Sequence, residues 1–377
     1  MTADDATATG GSAAGTAATT TAPRTTAPDA PASEPGHGAG VPPRQNWWRS
    51  DASEYARRNL WLVGVLVILV VIGVLTRPDL YGDPTWVKNN TFTILQQASA
   101  IGVVTVGMTF VIIGGGIDLS VGAIMALAGV WATTLATQSY GPVGMIFTAI
   151  VVGTCVGLVN GALISYGRLV PFIATLAMMV AARGLAAQIS GKQTQVSSSS
   201  VINGIATSRV VGIPLLVIIL AAVVAAGWVL LNRTTFGRRT VAVGGNPEAA
   251  RLAGINVRWH TLLLYALSGL CCGIGALMLT AQANSAQAAM ANLYELDAIA
   301  AAIIGGTLLS GGRGTIIGAL IGVLVFSTIT NLFAINGLST ESQNMIKGAI
   351  IVVAVLVQQF RFNSLTQLLN RNRTTPA

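Results

Sequence analysis

LWLVGVLVILVVIGVLT, residues 60–76, contains no charged side chain and is bracketed by Arg57, Arg58 and Arg77. A helix rises about 1.5 Å per residue, so about twenty apolar residues cross the ~30 Å hydrocarbon core of a bilayer. No water satisfies backbone polar groups at that depth, which leaves helices and closed barrels as the spanning structures. Runs of the same kind recur at 92–113, 119–138, 143–165, 171–190, 211–231, 260–282, 295–310, 315–335 and 345–360. The pattern predicts an all-α, polytopic membrane protein of about ten transmembrane helices between Leu60 and Phe360.

Composition agrees. Hydrophobic residues make up 53% of the 377 and charged residues 9%, with mean hydropathy +0.68. A soluble domain carries about a quarter charged residues. The net charge of +8 does not form a patch for nucleic acid, because the basic residues sit at the ends of the apolar runs. With ten crossings, fifteen Lys and Arg, among them Arg57, Arg58, Arg168, Arg233, Arg238, Arg239, Arg251, Arg258 and Arg313, fall on the side of both tails. Arg77, Lys88, Lys192, Arg209 and Lys347 fall on the other, and Arg183 lies within a run. The positive-inside rule then places both termini in the cytoplasm of a multi-pass cell-membrane protein.

Residues 1–59 are rich in Ala, Thr, Pro, Gly and Ser and too poor in large aliphatics to offset ordering entropy, so a disordered cytoplasmic tail is expected there. Residues 361–377 read as a short basic tail on the same side, and Trp47 and Trp48 as interfacial anchors. Cys155, Cys271 and Cys272 lie in apolar runs and read as small hydrophobes; His37 and His260 have no catalytic companion nearby. No metal site, cofactor or catalytic set is expected. Gly191-Lys192 is followed by Gln193, which breaks the phosphate-loop pattern, so the chain is not expected to hydrolyse ATP itself.

Several short motifs interrupt the apolar runs. Gly114-Gly115-Gly116-Ile117-Asp118-Leu119-Ser120 and Ser310-Gly311-Gly312-Arg313-Gly314-Thr315 each precede a helical run, and the segments 92–190 and 260–360 enter the membrane from opposite sides, which makes an inverted repeat possible. Asp118 reads first as an N-cap of the helix that follows, and second as a polar group at a helix break beside a solute path. Gly153, Gly157 and Gly161, and again Gly314, Gly318 and Gly322, flatten one helix face for close packing, within a subunit or at a sliding interface. Arg183 must pair with a polar group or reach the membrane edge. Asn160, Thr175, Ser268 and the other polar residues of the runs are neutral hydrogen-bonding groups, suited to a neutral polyhydroxylated solute. In the internal loop 232–259, Asn246 caps a short helix that starts at Pro247 and ends at Gly254, with Glu248 at its positive end. Ala249, Ala250, Leu252 and Ala253 give that helix a flat apolar side suited to docking in a groove of another protein, in preference to lying on lipid headgroups.

The runs Gly115–Gly122, Asn160–Leu176 and Gly244–Gly254 resemble the permease subunits of ribose-type ABC sugar importers over about residues 60–360. The resemblance implies a homodimer with the type II importer permease fold, docked on a separate ABC ATPase subunit and served by an extracytoplasmic sugar-binding protein. It implies ATPase coupling through Gly245, Asn246, Glu248, Ala249, Ala250, Leu252 and Gly254, and a translocation pathway or gate drawn from Gly116, Asp118, Ser120, Asn160, Phe172 and Thr175. The expected cargo is a monosaccharide such as ribose, xylose or galactose. The alternatives are an ion-coupled secondary transporter, a branched-chain amino-acid permease and a membrane enzyme; the first needs buried ionisable residues and the last a nucleophile–base pair.

Overall fold

The computed structural model describes residues 47–353 and residue 356. The chain runs α1 Trp47–Thr76, α2 Pro78–Tyr81, α3 Pro84–Ile113, α4 Val121–Ala132, α5 Leu135–Gln138, α6 Gly141–Ser165 and α7 Pro171–Ile189. It continues with α8 Ser200–Thr207, α9 Leu215–Arg233, α10 Thr235–Gly245, α11 Pro247–Leu252, α12 Val257–Ala283, α13 Tyr294–Ile304, α14 Ile316–Ile335 and a helical segment over 340–353. Two-residue strands add β1 Gln195–Val196 antiparallel to β4 Ser285–Ala286, and β2 Arg209–Val210 antiparallel to β3 Ile213–Pro214. The fold is all-α apart from these clasps. Residues 1–46 and 361–377, expected as tails, lie outside the described residues; residues 47–59, expected as part of the first tail, are helical.

Among the described residues seven helices are long and apolar enough to cross a membrane: the 59–76 part of α1, then α3, α6, α7, α9, α12 and α14. Two of the ten expected spans differ, and most of the end of a third, 345–360, lies outside the described residues. The 119–138 run becomes α4, a break at Thr133–Thr134 and α5; the 295–310 run becomes α13 followed by irregular backbone. At ~1.5 Å per residue α4 and α13 reach ~18 and ~16 Å, about half a hydrocarbon core. Hydropathy marks these segments as apolar, but burial inside the protein explains them better than contact with lipid. Every residue of α4 except Trp131 is buried. Backbone irregularity at membrane depth is tolerated where protein surrounds it.

Helices α3, α4 and α12 form the centre. The C-terminal half of α3, from Ala98 to Ile113, is buried at every position, as a helix hydrophobic all round should be. At the periphery α1 leaves Leu60 and Leu75 about three-quarters exposed, and α7 leaves Phe172, Ile173 and Val180 exposed.

The glycine ladders act within the chain. Gly153, Gly157 and Gly161 of α6 face α12, where a methyl group on Gly157 would meet the Tyr265 carbonyl and Gly269 Cα, and one on Gly161 would meet Leu262 backbone. Gly269 and Gly273 of α12 return the contact against Gly153 and Ala149. Gly318 and Gly322 of α14 lie on Gly305 and Ala301 of α13 and its end, while Gly314 abuts Ile113 and Thr307. Such backbone approach replaces side-chain bulk with dispersion contact, the main attraction left between helices in lipid.

Gly269→Val is therefore expected to lower the stability of the detergent-solubilised protein by about 1–3 kcal/mol through overpacking. Gly184→Ala on α7, where nothing lies within 4 Å of the added carbon, should keep or raise the melting temperature, since Ala favours helix over Gly. Thermal melts of both variants in one detergent check the contrast.

Candidate functional site

Helix α3 ends in glycines because the chain must turn sharply inside the core. Gly115 adopts φ +84°, a conformation open to glycine without penalty. The next residues form a sealed polar cluster. Asp118 Oδ1 accepts from the Ser120 amide at 3.0 Å and from the Ser120 hydroxyl at 2.5 Å, and its Oδ2 accepts from the Ser268 hydroxyl of α12 at 3.0 Å. Asn160 of α6 donates to Ser120 Oγ at 2.8 Å. The Ile117 carbonyl accepts from the Tyr265 hydroxyl at 3.2 Å, and the Thr175 hydroxyl lies 3.4 Å from it while bonding Pro171 O at 2.9 Å. Asp118, Ser120, Asn160 and Thr175 are all 0% exposed.

Asp118 is thus not the N-cap of α4. Ser120 holds that position, without a side-chain cap bond, and Asp118 stands two residues earlier. Its local turn onto the Ser120 amide is the bond an Asp makes when it competes with helix. The hydrogen bonds offset the cost of burying the carboxylate. Of the residues expected in a pathway or gate, Gly116, Asp118, Ser120, Asn160 and Thr175 meet here, with Gly116 pressed against the Tyr265 hydroxyl. Phe172 does not join them; it lies on the outer face of α7, 52% exposed.

Three segments that lack side chains converge beside this cluster. The Gly312 amide donates to the Ile113 carbonyl at 2.8 Å, linking the break after α3 to the break between α13 and α14. Gly244, in the last turn of α10, lies so close to Ile113 O and Gly312 N that no Cβ fits, and Gly311 lies on Gly115. The long helix precedes the break in the first half (α3 then α4) and follows it in the second (α13 then α14). A cavity of about 320 Å³ opens beside the junction, lined by Gly114, Gly115, Gly116, Val243, Gly244, Pro247, Tyr265 and Ser310 among others.

The 232–259 segment, expected as a loop with one short helix, is mostly helical. Thr234 caps α10, accepting from the Gly237 amide, and Gly237 packs onto Leu231 backbone. The Thr240 hydroxyl and His260 Nε2 lie 2.9 Å apart, and the Phe236 ring stacks 4.7 Å from the imidazole, so α10 is fixed to α12. His260 thus has a structural partner that sequence spacing did not reveal.

Gly245 leads into α11, whose start matches the sequence reading. The Asn246 side chain accepts from Glu248 N at 3.1 Å and Ala249 N at 2.9 Å, with Pro247 at the first helical position. At the other end Gly254, φ +82°, donates to Arg251 O while Ile255 donates to Ala250 O, the paired bonds of a Schellman ending. Glu248 and Arg251 pair at 2.5 Å on the exposed face, and the guanidinium holds the Glu248 carboxyl below its ordinary range, so it is ionised at neutral pH. The expected apolar face divides: Ala249, Leu252 and Ala253 point outward, Leu252 at 79% exposure, but Ala250 is turned inward at 4%.

Of a second set of ionisable groups, sequence reading singled out Arg183 alone, as a residue that must pair with a polar group or reach the membrane edge, and missed the acidic members. Arg183 of α7 binds backbone carbonyls of the segment before α13. Glu295 is buried in the first turn of α13, and Asp297 bonds Lys347 of the 340–353 helix at 3.1 Å with both side chains mostly buried. Acidic residues inside an apolar run followed by a glycine-rich stretch were the available signal.

Two consequences are testable. Asp118→Asn should keep its amide and hydroxyl contacts and fold normally, whereas Asp118→Leu, stranding the Ser120 and Ser268 donors, should cost about 1–3 kcal/mol per stranded group in a detergent melt. Asn246→Ala should weaken α11 by about 1 kcal/mol, read as faster hydrogen exchange of the Glu248 and Ala249 amides with α12 unchanged.

The chain matches a family model described as branched-chain amino acid transport system / permease component over residues 90–355. It is 38% identical to the ribose import permease protein of Bacillus subtilis (strain 168) over 79% of this chain and 91% of that protein. It is 36% identical to the ribose import permease protein of Escherichia coli (strain K12), over 78% and 92%. It is also 36% identical to the galactose/methyl galactoside import permease protein of the same strain, over 78% and 94%. No solved structure matches. On both counts the chain belongs to the transport-system permease family that includes the ribose import permeases.

Proposed function

We propose that this chain is the membrane-spanning permease of an ATP-driven monosaccharide importer, working as two identical copies. A separate ABC ATPase would engage α11 from the cytoplasm, and an extracytoplasmic binding protein would deliver the sugar. The substrate class rests on the relatives: proteins at 36–38% identity over nine-tenths of their length are named for ribose and galactose import. The amino-acid reading has only the wording of the family model behind it. Ion coupling has less behind it: Asp118 is engaged by Ser120 and Ser268 and Asp297 is paired with Lys347, which leaves Glu295 as the buried acidic group with an unpartnered oxygen among the described residues. The chain is not itself the catalyst of ATP hydrolysis on this reading.

One observation carries the mechanism: the exposed, doubly capped α11 is separated by Asn246 alone from Gly244 and Gly245, which rest on Ile113 and Gly312. Backbone pressed on backbone has no side-chain freedom to absorb displacement, so a pull on α11 would reach the breaks of both halves. The His260–Thr240 bond would carry the same motion into α12. The sugar is neutral, and a path without fixed charge suits it. An N-in and C-in orientation has the bias of Arg and Lys among loops and tails behind it, and would put α11 on the cytoplasmic side with both termini. The exposed α7 face of Phe172, Ile173 and Val180 is offered for the second copy.

Uptake of labelled ribose, xylose and galactose, measured in proteoliposomes holding this chain with its ATPase and binding protein, tests the reading. ATP-dependent accumulation of at least one sugar is expected; accumulation on an ion gradient with no ATPase present would overturn it. Glu248→Arg and Ala249→Trp should each cut uptake about tenfold or more at unchanged membrane levels, the effect of about 1.4 kcal/mol lost at the docking step. Ala250→Trp is a different case, because its site is buried and the variant should fail to accumulate.

A further inference from the structure

Arg183 and Glu295 are unexplained by ATPase docking. The Arg183 guanidinium donates to three carbonyls of one turn, Ala288 O at 2.8 Å, Met290 O at 3.3 Å and Ala291 O at 3.4 Å. These are contacts to neutral acceptors, two of them long. Glu295, 6% exposed, has a carboxylate oxygen, Oε2, with no hydrogen-bond partner among the described residues. That oxygen and the Ala291 carbonyl crowd the same point, the place where a Cβ on Gly122 would stand. A stronger acceptor for the guanidinium thus lies next to the one it holds, because paired carboxylate bonds outweigh those to carbonyls.

The segment between them is strained. Ala291 at φ 54° and Leu293 at φ 66° occupy the left-handed region that residues with a Cβ enter at a cost, and Leu293 is the N-cap of α13. Helix α13 connects this strained turn to the break that touches Ile113. Its other anchor, Asp297 to Lys347, is already paired. Strain, an unpartnered carboxylate oxygen and a cation on weaker acceptors are concentrated at one end of a short helix whose other end meets the junction of breaks.

We infer that Arg183 and Glu295 form a latch of the transport cycle, in which the guanidinium grips the 288–291 carbonyls in this state and Glu295 in the other. The exchange frees the turn, relieves Ala291 and Leu293, and lets α13 move with the junction. Both are positioning residues, acting through α13 and not on the solute. The inference rests on the transport reading above.

The test uses the full-length chain in lipid nanodiscs with Ala288→Cys as reporter and the exposed Cys155 replaced by Ser; Cys271 and Cys272 are buried. The readout is the rate of maleimide labelling at position 288, which needs neither sugar nor ATP. Glu295→Gln removes the alternative partner and should slow labelling about tenfold, with a matching loss of uptake. Ala291→Gly relieves the strain of the gripped state and should slow it about two- to fivefold. Arg183→Gln should speed it. Labelling of Glu295→Gln at the parent rate would overturn the latch, because a purely structural clamp by Arg183 predicts that result. Should Glu295→Gln fail to accumulate, unchanged or faster labelling of Ala291→Gly overturns it instead. If the parent protein transports no sugar in the panel, the transport reading fails while the labelling rates still decide whether the latch exists.

Discussion

The Gly312 amide on the Ile113 carbonyl, with Gly244 packed against both, is the contact on which the remaining architecture depends. It joins two helix breaks that are far apart in sequence and a third segment that leads directly to the exposed α11. Only glycine allows three backbones to meet this closely. The positive φ angles of Gly115, Gly311 and Gly312 show that the same residues also turn the chain. Close approach and turning are thus satisfied by one residue type at one place. Around it, Asp118, Ser120, Asn160 and Ser268 tie the first break to α6 and α12, so the junction is clamped by polar bonds on one side and by glycine contact on the other.

What the sequence disclosed tracks the range of the interaction involved. The α11 caps were legible because Asn246, Pro247 and Gly254 act on their immediate neighbours, and local chemistry is written in local order. The membrane-spanning helices were legible because solvent, not partner, selects their length. Helix α10 was not, since Gly237, Gly244 and Gly245 depress its intrinsic propensity and its stability comes from Phe236, Thr240 and His260 packing on α12. The half-length of α4 and α13 was hidden for a related reason: an apolar run reads the same whether lipid or protein surrounds it.

Among the residues expected in a pathway or gate, sequence named Gly116, Asp118, Ser120, Asn160 and Thr175 together and the fold brings them together, but the nature of the cluster was not foreseeable. The side chains that saturate Asp118 include Ser268, on a helix 150 positions away. Phe172 stands one turn before Thr175, yet only its backbone carbonyl, 3.4 Å from the Thr175 hydroxyl, comes near the group, while its side chain is exposed in the first turn of α7. Ala250 departs from Ala249 and Leu252 because adjacent helical positions point about 100° apart. The burial of Glu295 and the pairing of Asp297 with Lys347 escaped notice because contact across helices has no signature in linear order.

The two caps of α11 bear on the speed of any encounter with it. Six residues are too few to hold a helical turn unaided, and a peptide of this length would be coil in water. Here Asn246, Pro247 and the Gly254 ending order the segment before anything binds. A partner meeting this surface loses little conformational entropy on contact, so a modest patch suffices for recognition.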